Sequence, residues 1–171
     1  MQILSPAQRR PITVENTTVR PGVRAPLDAW RVLGWIGLSF TILGLLDIAL
    51  GWYPPAFGNP EWEFGTISGS LNALAIPMLG LYLVLASAIA RSDRRAARTV
   101  AVVMGLLLLI LLGLGVLYLT VVPLAIKSVA GNALVALGMK KAIVKAVTLG
   151  MADAVLLAVG MVKGWRVAPA G

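Results

Sequence analysis

Two stretches of this chain, Ile67–Ala90 and Thr99–Ile126, contain no charged residue at all. Two more apolar runs flank them: Val32–Leu50, broken only by Asp47, and Ala146–Val162, broken only by Asp153. A helix rises 1.5 Å per residue, so about 20 apolar residues cross the hydrocarbon core of a bilayer. Lipid offers no hydrogen bonds to a bare backbone, which makes the helix the natural form for such runs. The composition agrees, because 13% of the residues are charged against about 25% in a soluble domain. The chain therefore reads as an all-α integral membrane protein with four transmembrane helices, over about 30–52, 67–90, 99–123 and 143–163. They form a four-helix transmembrane domain over 29–166, between a basic N-terminal arm, 1–28, and a short C-terminal tail, 167–171.

Orientation follows from the basic residues. Arg9, Arg10, Arg20, Arg24 and Arg31 precede the first span; Arg91, Arg94, Arg95 and Arg98 follow the second; Lys163 and Arg166 follow the fourth. These eleven share one side, and Lys127, Lys140, Lys141 and Lys145 share the other. Positive charge resists translocation, so both termini are expected in the cytoplasm and the protein in a bacterial inner membrane. Residues 1–28 do not read as a signal peptide, because the arginines lead into PITVENTTVRPGVRAPLD rather than into an apolar h-region. Alone, that arm has too few large apolar residues to fold. Held by a partner subunit, it becomes a contact surface.

The chain has neither cysteine nor histidine. Disulfides, thiolate nucleophiles, iron–sulfur clusters and zinc–thiolate sites are thereby excluded. So are the usual haem ligand and the commonest general base. The expectation is a non-enzyme with no cofactor or metal, binding at most lipid. Nucleic acid is not an expected partner, since the basic residues are spread along the chain and form no basic domain.

Between the first two runs lies GWYPPAFGNPEWEFGT, residues 51–66. Its prolines favour extended backbone and stop both flanking helices. Trp52, Tyr53, Phe57, Trp62 and Phe64 suit the headgroup zone as an aromatic belt. The same rings fit a partner-docking loop, because Trp and Tyr dominate interface hot spots. On the opposite side, Arg91, Arg94, Arg95 and Arg98 suit anionic lipid as well as orientation.

Asp47 and Asp153 are the acidic groups inside the spans, with Lys145 the nearest counter-charge at a depth similar to that of Asp47. They make an intramembrane polar pair that fixes helix register, or the start of a proton or cation relay. Gly37, Gly44 and Gly51 recur every seven residues on one face of the first helix, allowing close approach of another helix, internal by default. Pro77 is expected to kink the second helix, and Pro123 to end the third. The apolar run Val129–Met139 is too short to span. It forms either an interfacial helix or an outward extension of the fourth span.

NPEW (Asn59–Trp62), IPMLGLYLVL (Ile76–Leu85), an arginine-rich turn and a leucine-rich third helix follow in order. In this the chain resembles small four-helix bacterial membrane proteins of the hormogonium-polysaccharide-associated, HpsJ-like type, over about the middle half of its length. The resemblance implies support of exopolysaccharide synthesis or export and supplies no catalytic residue. The residues themselves favour a non-catalytic accessory or scaffold subunit of a larger membrane complex, contacting lipid and other integral membrane subunits. A minor transporter or channel using Asp47 and Asp153 is the third reading.

Overall fold

The computed structural model describes residues 25–129 and 131–166. The tail and most of the expected basic arm, residues 1–24, lie outside the described residues. Every regular element among the described residues is helical: α1 (Ala25–Gly51), α2 (Pro60–Ala73), α3 (Ala75–Ala90), α4 (Arg94–Ser128) and α5 (Ala133–Arg166). Since α2 and α3 run on from one another, they make four units long and apolar enough to cross a membrane.

Three of the helix starts are fixed by side chains. Asn59 Oδ1 accepts from the amides of Glu61 and Trp62, with Pro60 in the first turn of α2. Proline suits that position, where its missing N–H is not needed and its φ is already helical. Asp93 caps α4 through the amide of Ala96, and Asn132 caps α5 through Leu134 and Val135. The quoted stretch is consequently not all loop. Residues 60–66 form the first turns of α2, and only 52–59 connect the helices.

The prolines behave differently from one another. Helix continuity is interrupted at Leu74, and Pro77 lies in the first turn of α3. Lacking an N–H, Pro77 cannot close the bond to the carbonyl four residues earlier. Pro123 does not end its helix, contrary to expectation, because α4 runs on to Ser128. Val121 and Ala125 on either side of it are buried in the core, so packing holds the backbone across the lost bond. The run before the fourth span is an extension and not a separate interfacial helix: α5 is continuous from Ala133.

At 1.5 Å per residue the 35-residue α4 and 34-residue α5 are about 50 Å long. A hydrocarbon core is about 30 Å thick. Both helices are therefore longer than such a core is thick, and Lys127, Lys140 and Lys141 lie at one end of the pair.

The core lies between α2–α3, α4 and α5. Phe64 stacks on Tyr118 at 5.6 Å, Ile67, Leu71 and Met78 fill the centre, and Leu157 of α5 is fully buried. The buried residues of α5 are Ala146, Asp153, Leu157, Gly160 and Gly164. With Gly150, which sits against Leu71, they recur at alternating intervals of four and three, the spacing of a helix–helix seam. Tyr82 Oη donates to the carbonyl of Leu156 at 2.5 Å and ties α3 to the same seam.

By contrast α1 is peripheral. It lies along α3, touches α2 at one end, and meets neither α4 nor α5 among the described residues.

Candidate functional site

The contact between α1 and α3 is made by small residues. A Cβ at Gly37 would stand 2.6 Å from the carbonyl oxygen of Gly80, and one at Gly44 would stand 2.5 Å from Pro77 Cδ. Thr41 Oγ1 donates to Gly37 O at 2.9 Å, and Ser87 Oγ donates across the interface to Trp30 O at 2.6 Å. Gly51, the third glycine of the series, meets nothing within 4 Å. It lines a cleft instead.

That cleft, of about 510 Å³, opens between the last turns of α1 and the length of α2. Asp47, Ile48, Leu50 and Gly51 form one side; Trp62, Gly65, Thr66, Gly69, Ser70 and Ala73 form the other. Its volume falls within the range of small-molecule sites, about 300–1,000 Å³. Asp47 is exposed there. Trp62 is fixed by edge-to-face contacts with Trp52, at 5.9 Å, and with Phe57, at 5.4 Å. The Ser70 hydroxyl accepts from Trp52 Nε1 at 3.0 Å and donates to Thr66 O at 2.8 Å. The cleft thus has a fixed indole wall, a hydroxyl-bearing floor, bare glycine backbone and one carboxylate.

Asp153 is not part of it. Its side chain is buried on the seam of α5, and Oδ2 finds no hydrogen-bond partner among the described residues. Lys145 is exposed on the same helix. Since α1 and α5 do not touch, the expected pairing of Asp47 with Lys145 does not form. The same separation removes any direct relay between Asp47 and Asp153. Among the described residues no group of three acidic residues could hold a metal ion.

The five aromatics expected on one loop divide three ways. Tyr53 and Phe57 are exposed, at 78% and 74%; Trp52 and Trp62 are half-buried; Phe64 belongs to the core and is not available to a partner. Glu63 is also committed, accepting from the amide of Gly58 at 2.8 Å. At the other end of the bundle Arg91, Arg94, Arg95 and Arg98 are all exposed around the α3–α4 turn. Arg91 Nε donates to Ser87 O at 3.3 Å.

Gly65, Thr66, Gly69 and Ser70 escape a reading by composition, because they straddle the boundary between the aromatic stretch 51–66 and the apolar run that follows it. A signal was present nonetheless. Gly65 and Gly69 are four apart, as are Thr66 and Ser70, so each pair shares one helix face.

No curated protein and no solved structure matches the chain. The family model described as HpsJ-like protein matches residues 28–133, which take in α1 to α4 and both sides of the cleft. That match spans more than half of the sequence, and the chain belongs to the HpsJ-like family.

Proposed function

We propose that this HpsJ-like chain is a non-catalytic subunit of a bacterial inner-membrane assembly that supports exopolysaccharide synthesis or export. The observation that carries the proposal is the family match over residues 28–133. The architecture is compatible with such a role. A peripheral α1 with Trp35, Leu43, Leu46 and Leu50 exposed offers a long apolar face to lipid or to another subunit. Asp47 and Asp153 stand on helices that do not meet, which favours a structural or binding role over transport or catalysis.

In this proposal both termini are cytoplasmic, the exposed arginines of the α3–α4 turn face anionic lipid, and the α1–α2 cleft opens on the outer side. The test is a clean deletion with complementation. Secreted polysaccharide is expected to fall, and the tagged chain is expected to co-purify in fixed ratio with membrane partners after mild detergent extraction. Unchanged polymer together with a lone 18.0 kDa species would refute the proposal.

A further inference from the structure

The α1–α2 cleft differs in chemistry from the groove between α4 and α5, which is lined by aliphatic residues and glycines apart from Tyr118. Asp47 in the cleft forms no ion pair and accepts no hydrogen bond from any described residue. A carboxylate in that state is an acceptor awaiting donors. No lysine or arginine lines the cleft, and Asp47 is its single acidic group. An anionic ligand would meet only like charge, which disfavours phosphates, sulfates and uronic acids. A divalent metal ion would find one carboxylate where it needs several oxygen ligands. An uncharged ligand rich in hydroxyl donors meets neither obstacle.

The wall and floor narrow the class further. Trp62 is held at fixed orientation by Trp52 and Phe57, and its indole lines the same cleft as the carboxylate. The C–H face of a pyranose ring is complementary to an indole face, while its hydroxyls point outward to acceptors. Gly51, Gly65 and Gly69 have open space where a Cβ would stand, so a ring can come down onto bare backbone. Thr66 and Ser70 place hydroxyls at that floor.

We propose that the cleft bounded by Asp47, Trp62, Thr66 and Gly69 binds uncharged sugar residues of a glycan at the membrane surface. The Asp47 carboxylate accepts from sugar hydroxyls and the Trp62 indole stacks on the ring. This inference rests on the polysaccharide role proposed above and gives that role a point of contact with the polymer.

The test uses the full chain in phosphatidylcholine nanodiscs and partial hydrolysates of the host's exopolysaccharide, separated by anion exchange into neutral and acidic oligosaccharides. Binding is read by calorimetry and by tryptophan emission. The neutral fraction is expected to bind. Asp47→Asn, at an exposed position, is expected to weaken binding by about tenfold or more, the worth of hydrogen bonds to a charged group. Gly69→Leu is expected to abolish binding by filling the cleft; its Cβ meets nothing within 4 Å, and an unchanged melting temperature shows that the fold is kept. No binding by the wild-type chain, equal binding by both variants, preference for the acidic fraction, or displacement of the neutral fraction by phosphoethanolamine would each overturn the inference. Loss of polymer on deletion, with a pure protein that ignores both fractions, refutes the cleft alone. Unchanged polymer on deletion refutes the functional proposal itself.

Discussion

Gly37 and Gly44 bring backbone against backbone, and the atoms they face cannot swing aside. A methyl group at Gly37 would meet Gly80 O at 2.6 Å and Val84 N at 2.9 Å; at Gly44 it would meet the ring of Pro77. Gly37→Ala and Gly44→Ala should each destabilise the protein by about 1–3 kcal/mol, the usual cost of overpacking. Gly51→Ala should leave stability unchanged or raise it by less than about 1 kcal/mol, since alanine is the better helix former. Melting temperatures in one detergent check the contrast, and equal losses at all three positions would contradict the packing. Gly160 is an intermediate case: its nearest neighbour is Met104 Sδ, the far end of a flexible side chain. Asp153 poses the opposite problem. An unpaired carboxylate is costlier to bury than a neutral amide of the same shape, so Asp153→Asn should raise the melting temperature in the same assay. A fall in melting temperature would mean that the carboxylate has a partner which the protein alone does not supply.

The helices show how much was legible and why the rest was not. Long uncharged runs announce spans, because nothing but burial in lipid or core explains them, and the four helices long and apolar enough to cross a membrane lie where those runs do. Their ends were less visible, because an apolar run marks where lipid can be and not where the helix stops. The caps carried that information. Asn59 followed by Pro60, and Asn132 just after Gly131, are start signals, and they set α2 and α5 beginning well before the apolar runs do. Pro123 points the other way, since a local rule that stops a helix was outweighed by the buried neighbours on both sides of it. The cleft was half legible: Asp47 and Trp62 stand out by residue type, whereas its floor of Gly65, Thr66, Gly69 and Ser70 is visible only once those positions are put on a helical face. Asn59→Ala removes the acceptor for two amides of α2 and should cost about 1 kcal/mol. Hydrogen exchange at Glu61 and Trp62 checks it. Faster exchange confined to that first turn is the expected result, and no change there would show that Pro60 alone holds the start of the helix.

At the scale of the whole molecule, the bundle is asymmetric in charge and in packing. The exposed arginines of the α3–α4 turn mark one end, and the α1–α2 cleft, Glu61 and Lys127 mark the other. In the proposed orientation the eleven basic residues lie inside. In that orientation Lys127, Lys140 and Lys141 fall where α4 and α5 outrun about 30 Å of hydrocarbon, so they reach water without entering lipid. Because the sequence contains no cysteine, single substitutions give clean reporters. Ala56→Cys, exposed in the α1–α2 connection, should react with a membrane-impermeant maleimide in intact spheroplasts. Ser92→Cys, exposed in the α3–α4 turn, should react only after permeabilisation. Reversed labelling would place the carboxylate–indole cleft on the cytoplasmic face. Its ligand would then have to be met before export, while sugar residues are still being assembled, and the arginine turn would need an extracytoplasmic partner to account for its charge.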